Sequence, residues 1–155
     1  MRDPELEGAF PGLIDSSYEP TSPKDPSYNC VAFALGDLKN FWDDVEVNGY
    51  YWPPGVPSDT LAGWLEVFSI HGYHETDEDG LEEDFERIAI YGSLKTPEYI
   101  VPEHVARQKA SGTWVSKLGS GKDVEHTLGG LEGVEYGKVV RIMKRKCKDG
   151  RRVLE

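Results

Sequence analysis

Helical periodicity is confined to the middle of this 155-residue chain, and strand-like runs follow it. Apolar residues recur every three to four positions after Asn29 and again after Ser58, two residues that can cap a helix. These patterns predict helices over about 30–41 and roughly 59–70. The five prolines of residues 1–27 predict an extended lead-in without a long helix, because proline lacks an N–H and biases its predecessor towards extended backbone.

Four apolar runs of strand length follow the second predicted helix. They cover residues 85–91, 104–108, 113–117 and 138–143. A short helix or turn is predicted around 123–128. Gly112 supplies the positive φ of a hairpin between the second and third runs, so these two should pair antiparallel. Because the helices precede the strands rather than alternate with them, we expect an α+β fold with N-terminal helices packed on a small antiparallel sheet.

Composition supports a single folded domain. The chain is 38% apolar and 11% aromatic, and a chain of 155 residues buries about two thirds of its unfolded surface. We expect residues 1–27 to be the lead-in, 28–145 one domain and 146–155 a basic tail. Cys30 and Cys147 are too few for a disulfide framework or a four-cysteine zinc site, so we expect a reducing compartment.

The charge balance argues against nucleic acid and membranes as partners. With 28 acidic residues against 17 lysines and arginines, the net charge is −11, which repels phosphates and anionic lipids. The basic segment 141–152 is explained by a charged edge strand and a solvated tail. The sequence contains no apolar signal segment and no run of eighteen apolar residues, and we therefore expect a cytoplasmic protein.

Cys30 is the strongest candidate for a catalytic residue. It falls in the first turn of the first predicted helix, where unpaired N–H groups and the helix dipole stabilise a thiolate. A thiolate nucleophile needs a base, and His104 begins a predicted strand that can present its imidazole to the helix terminus. Ser116 on the adjacent strand can orient that imidazole. Cys30 alone also fits a buried core cysteine, and the order of Cys30 and His104 in the chain favours the catalytic interpretation.

Further residues complete this candidate site. The first amides of the helix, together with Tyr28 or Asn29, would donate to the oxyanion of a tetrahedral intermediate. Aromatic side chains would cover the core or line one wall of a substrate cleft, with Trp52 and Trp114 as the candidates. The competitors of Ser116 for the third catalytic position are Lys117, Asp123 and His126.

The order of these elements resembles that of the NlpC-type papain-like hydrolases. The likeness rests on Asn29-Cys30 opening a helix, a strand over 87–91, His104-Val-Ala and the hairpin strand that ends at Ser116. It implies that Cys30 is the nucleophile, His104 the base and then the acid, and Ser116 the third member of a triad. The substrate would be an intracellular amide, peptide or thioester.

The chain is also similar to a set of uncharacterised bacterial proteins that share several of its motifs. The shared motifs lie at Tyr28–Gly36, Tyr51–Pro57, His104–Gln108, Gly112–Gly119 and Glu125-His126. This second likeness implies no activity.

A second hypothesis comes from a different class of protein. The same scaffold without catalysis would be an acidic binding, adaptor or immunity-type module, whose net charge of −11 suits a basic protein partner. Two metal-site patterns are weaker. Residues 75–86 match a calcium loop only in part, and Gly72 ends the helix that would bring His71 and His74 together. We therefore expect no metal and no cofactor.

Overall fold

An antiparallel sheet of seven strands organises the part of the chain that the structure describes. This computed structural model describes residues 2–22, 28–37, 40–43, 50–96, 98–118 and 121–147. The strands are β1 (Glu19–Pro20), β2 (Phe41–Trp42), β3 (Tyr50–Tyr51), β4 (His74–Thr76), β5 (Phe85–Thr96), β6 (Tyr99–Gln108), β7 (Trp114–Lys117), β8 (Asp123–His126) and β9 (Lys138–Lys146). The large sheet has the order β1-β8-β7-β6-β5-β9-β4, and β2 pairs with β3 in a separate parallel ribbon.

Short helices accompany the sheet. The α-helices of the described ranges are α1 (Pro4–Ala9), α2 (Cys30–Leu35) and α3 (Leu61–Ile70), and the 3₁₀ turns are η1 (Pro11–Leu13) and η2 (Gly129–Leu131). The expected mixed α+β class with an antiparallel sheet is confirmed, and so is the antiparallel pairing of β6 with β7. None of the helices described is long and apolar enough to cross a membrane.

Each face of the large sheet carries its own core. α2 and α3 pack on the first face, which includes Ile90 and Val105 of the central strands. The second face includes Tyr91 and is covered by the N-terminal segment through Phe10 and Leu13. Successive side chains of a strand point to opposite faces, so neighbours along β5 and β6 belong to different cores.

The helices differ from their sequence patterns at their ends. Gly36 adopts a φ of 83° and ends α2 after six residues, so the predicted helix over 30–41 is too long. Residues 38–39 of that range lie outside the described residues. α3 starts two residues later than predicted, because its cap is Thr60 and not Ser58.

The N-terminal lead-in also contains helical structure. Asp3 caps α1, accepting hydrogen bonds from the N–H groups of Glu5 and Leu6, and Pro4 occupies the first helical position, where a missing N–H costs nothing. The lead-in expected to be extended thus contains two short helical segments, and its described residues form no long helix. Residues 23–27 lie outside the described part of the chain.

Two predictions on the second half of the chain are corrected. Residues 123–126 form β8 instead of a helix or turn, because they pair along the whole of β7. The basic run that begins at Arg141 belongs to β9, which lies inside the sheet between β5 and β4 and not at an edge. Of the predicted basic tail, residues 148–155 lie outside the described residues.

A buried carboxylate joins three strands beneath the first face. Glu86 of β5 is 1% exposed and binds the guanidinium of Arg107 on β6. Its other oxygen accepts from Arg145 Nε on β9 at 2.8 Å. The Arg145 guanidinium also lies over the ring of Tyr73, 4.6 Å from its centroid. Removing the carboxylate would leave two cations without their counter-charge in a region shielded from water.

We predict that Glu86→Gln lowers the free energy of unfolding by about 3–5 kcal/mol, because Arg107 and Arg145 lose their buried counter-charge. Urea unfolding monitored by tryptophan fluorescence measures this. Glu75→Gln is the matched control, since Glu75 pairs with Arg141 at 3.0 Å on the surface. The control should cost less than about 1 kcal/mol. Equal losses in the two variants would contradict the assignment.

Candidate active site

Asn29 fixes the point at which α2 begins, and with it the position of Cys30. Its Oδ1 accepts from the N–H of Ala32 at 3.1 Å, the helix-capping bond, and from the N–H of Trp42 at 3.2 Å. Its Nδ2 donates to the carbonyl of Trp42 at 2.8 Å. The Asn29 side chain thus serves as both a cap and a tether between α2 and β2.

The thiol of Cys30 meets the large sheet where β6 and β7 separate. Pairing of these strands among the described residues is limited to two residue pairs, made by Arg107 and Gln108 of β6. Nearer the start of β6, the N–H of Val105 donates to the Cys30 sulfur. The helix terminus therefore reaches β6 at the residue next to His104. His104 lies within β6 and not at the start of a strand as predicted, because β6 begins at Tyr99.

The thiol of Cys30 is protonated at neutral pH. Burial raises its pKa to about 11, although nearby backbone N–H groups, above all that of Val105, act in the opposite direction. The predicted lowering of this pKa by the helix terminus is therefore outweighed by burial. The N–H groups of Val105 and Val31 are nevertheless donors that would favour an anionic sulfur.

His104 is wholly buried and lies on the second face. Its ring stacks parallel to that of Tyr136, with centroids 4.1 Å apart, and also contacts Tyr91. Neither ring nitrogen has a hydrogen-bond partner among the described residues, so no bond to Cys30 is formed. Burial, and next the nearby charge of His126, lowers the pKa of His104 well below its usual value. The imidazole is neutral and points away from the thiol.

Ser116 is bonded to His126 and not to His104. The two side chains lie 2.5 Å apart between Ser116 Oγ and His126 Nε2, and both are buried. His126 Nδ1 lies 2.7 Å from the carbonyl oxygen of Thr127. Because a carbonyl can only accept, Nδ1 carries the proton and Nε2 accepts from the serine hydroxyl. Burial lowers the pKa of His126 to about 4, which keeps this ring neutral at pH 7.

Tyr28, Asp123 and Lys117 form a separate polar group on the first face. The Tyr28 hydroxyl donates to the Asp123 carboxylate at 3.0 Å. The ammonium of Lys117 lies 4.5 Å from the centre of the Tyr28 ring and donates to the carbonyl of Gly121. These contacts tie the residues before α2 to β7 and β8, so they hold Cys30 in place without touching His104.

The two tryptophans proposed for a cleft belong to the core regions. Trp114 is 4% exposed and lies in the second-face core. Trp52 is partly buried against the first-face core, and its Nε1 donates to the carbonyl of Val56 at 2.9 Å. Both side chains therefore cover core in this structure.

Tyr136 is the contact that the sequence did not reveal. Its only sequence signal is the glycine that follows it. The structure requires a glycine at position 137, because φ is 74° there and a Cβ would lie 2.0 Å from the carbonyl oxygen of Gly92. The sequence pattern marks this pair as a turn before the last strand. The stacking of Tyr136 on His104 depends on tertiary structure.

The metal-site patterns gain no support from the described residues. No group of three or more histidine, cysteine, aspartate or glutamate side chains among them is placed to hold a metal ion. Glu86, the last ligand position of the suggested calcium loop, binds Arg107 and Arg145 instead.

Comparison with known proteins gives a family without an assigned activity. The model of a domain of unknown function, DUF7689, matches residues 19–144. The chain belongs to the DUF7689 family. No curated protein and no solved structure matches it significantly. Within this DUF7689 chain, the candidate site residues fall inside the matched range, whereas α1 and η1 precede it.

We predict that acid destabilises the fold through His126. Its pKa is about 4 in the folded chain and about 6.5 in the unfolded chain, so only the unfolded state takes up the proton between these values. The free energy of unfolding should therefore fall by about 2 kcal/mol from pH 7 to pH 5 through this residue. His104, whose pKa is also lowered, acts in the same direction.

Urea unfolding at pH 7 and pH 5 checks this prediction. His126→Asn should remove about 2 kcal/mol of the difference between the two pH values. His74→Asn, which replaces an exposed histidine of β4, controls for the loss of one imidazole. The same pH dependence in His126→Asn and in the wild type would refute the assignment.

Proposed function

We propose that this chain is a cysteine-dependent hydrolase or acyltransferase with a papain-like core of the NlpC type. It would act on an amide, peptide or thioester bond, with Cys30 as nucleophile and His104 as base and then acid. The observation that carries the proposal is the arrangement around Cys30. The backbone N–H groups of Val31 and Val105 both act on its sulfur, and Val105 is next to His104 on β6.

A second observation supports His104 as the base. A wholly buried imidazole with no hydrogen bond from the described residues is costly and calls for an explanation, and a catalytic role is one that the chemistry offers. The order of elements also supports a papain-like core: a helix carries the cysteine, and a following strand carries the histidine. For the third member we propose Ser116, whose hydroxyl is held by a hydrogen bond to His126.

The proposed reaction begins with transfer of the Cys30 proton to His104, after the imidazole turns towards the sulfur. The thiolate attacks the carbonyl carbon, and N–H groups at the start of α2 stabilise the oxyanion. His104 then gives its proton to the leaving amine or thiolate as the C–N or C–S bond breaks. Water or an amine attacks the acyl-enzyme, returns a proton to His104 and releases Cys30. We place this chemistry in the cytoplasm, where a thiol stays reduced.

The pKa of about 11 at Cys30 favours a second candidate function. An inert, protonated thiol suits an acidic binding, adaptor or immunity-type module on the same scaffold. A basic protein would then be its partner, attracted by the net charge of −11.

Trapping of an acyl-enzyme distinguishes the two functions. We expect a panel of acyl thioesters and activated amides to give an acyl adduct on Cys30, detected by intact-protein and peptide mass spectrometry. Cys30→Ala should give none, and His104→Asn should acylate about 100-fold more slowly. Cys147→Ser is the matched control and should acylate like the wild type.

Two results would overturn the catalytic proposal. One is acylation of Cys30 at the same rate in His104→Asn, which would mean simple chemical reactivity. The other is no adduct with any member of the panel, together with salt-sensitive binding of a basic protein. This second result would support the binding module.

A further inference from the structure

Within the part of the chain that the structure describes, His104 is enclosed by two aromatic rings and makes no side-chain hydrogen bond. The Tyr136 ring is parallel to the imidazole within 1°, with a centroid separation of 4.1 Å. The Tyr91 ring lies 5.6 Å away at a tilt of 56°. Tyr91 belongs to the central strand β5, whereas Tyr136 belongs to a surface loop. The Tyr136 ring can therefore move without disturbing the sheet, whereas the Tyr91 ring cannot.

The loop that carries Tyr136 is a small closed turn. Gly133 and Gly137 exchange two backbone hydrogen bonds of 2.8 Å, and Val134 at the tip is 98% exposed. The Tyr136 ring also contacts Phe10, with centroids 5.0 Å apart. Phe10 belongs to the N-terminal segment, residues 2–18, which precedes the part of the chain that matches the family. The Tyr136 ring that covers His104 is thus packed against a segment that precedes the family domain.

A cavity of about 330 Å³ adjoins Tyr136 and the N-terminal segment. Its lining includes Leu6, Ala9, Phe10, Leu118, Lys122 and Tyr136. An ion pair of 2.9 Å between Lys122 and Asp3 joins the N-terminal segment to the opposite wall of this cavity. The cavity gives the Tyr136 ring a space to enter, so the ring can leave His104 without any strand moving.

We infer that Tyr136 is a gate and a positioning residue for His104, which opens by moving its ring into this cavity. The inference rests on the proposed cysteine chemistry. In the closed state the stack keeps the imidazole dry and turned away from Cys30. In the open state water reaches His104, its ring can turn towards β7, and one of its nitrogens accepts the proton of the Cys30 sulfur.

The electrostatics of the closed state agree with this gate. Burial lowers the pKa of His104 and raises the pKa of Cys30, so the proton stays on sulfur. Hydration of His104 returns its pKa towards about 6.5, and an imidazolium beside the sulfur lowers the pKa of the thiol. Each fall of one unit in the thiol pKa gives about tenfold more thiolate at neutral pH.

Two pairs of variants of the full chain test the gate. Tyr136→Leu removes the stacking ring, and Tyr136→Phe keeps it. Ala9→Trp places a large side chain in the cavity, and Gly8→Trp is its matched control on α1, because a side chain at Gly8 meets open space. The readouts are the rate of Cys30 alkylation by iodoacetamide from pH 5 to pH 9 and the NMR titration of the His104 ring.

In Tyr136→Leu we expect His104 to titrate near pH 6.5 and Cys30 to alkylate about tenfold faster at pH 7. Adding His104→Ala to this variant should abolish the gain. Tyr136→Phe should restore slow alkylation. Ala9→Trp should alkylate several-fold more slowly than Gly8→Trp, because the gate has lost the space into which it opens.

The gate is overturned if His104 does not titrate in folded Tyr136→Leu, or if Ala9→Trp and Gly8→Trp react alike. The tryptophan pair decides the question if Tyr136→Leu does not fold. If His104 titrates near pH 6.5 in Tyr136→Leu but Cys30 reactivity does not depend on it, the gate is supported and the proposed cysteine chemistry fails.

Discussion

The separation of β6 from β7 is the constraint on which the rest of the site depends. If the two strands continued to pair beyond Arg107, no opening would be left for the Cys30 sulfur beside the N–H of Val105. Because they part, the sulfur accepts this bond, and the buried N–H keeps a partner. The six-residue α2, started by Asn29 and ended by Gly36, delivers the thiol to this opening.

Burial shifts the pKa values of the Cys30 thiol and the His104 imidazole, the two groups of the proposed reaction, in opposite directions. It raises the pKa of the thiol and lowers that of the imidazole, because each group is forced towards its neutral form. The resting site therefore holds a neutral Cys30 and a neutral His104 that do not touch through a hydrogen bond. Access of water to this region is thus a variable that the proposed chemistry must control, and in the proposed gate the aromatic cover over His104 controls it.

The sequence predicted the order of elements better than their ends. Gly112 marked the hairpin that joins β6 to β7, and periodicity located α2, α3 and β9, since each carries a regular apolar pattern. It overran α2 because Gly36 stops the helix through its backbone, and it missed β8 because four residues that alternate beside β7 show little pattern alone. Cys30 and His104 could be singled out by position. The bonds of Cys30 to Val105 and of Ser116 to His126 could not, because they depend on register and on the face to which each side chain turns.

The bond between the Val105 N–H and the Cys30 sulfur tests the account most directly. Its measurement is hydrogen exchange at the Val105 amide, followed by NMR in the wild type and in Cys30→Ala, with the amides of β5 as internal reference. We expect a protected amide in the wild type and exchange about fivefold faster, or more, in Cys30→Ala, since one hydrogen bond is lost. Equal exchange in the two proteins would contradict it, because Cys30 would then lie away from β6 and from His104.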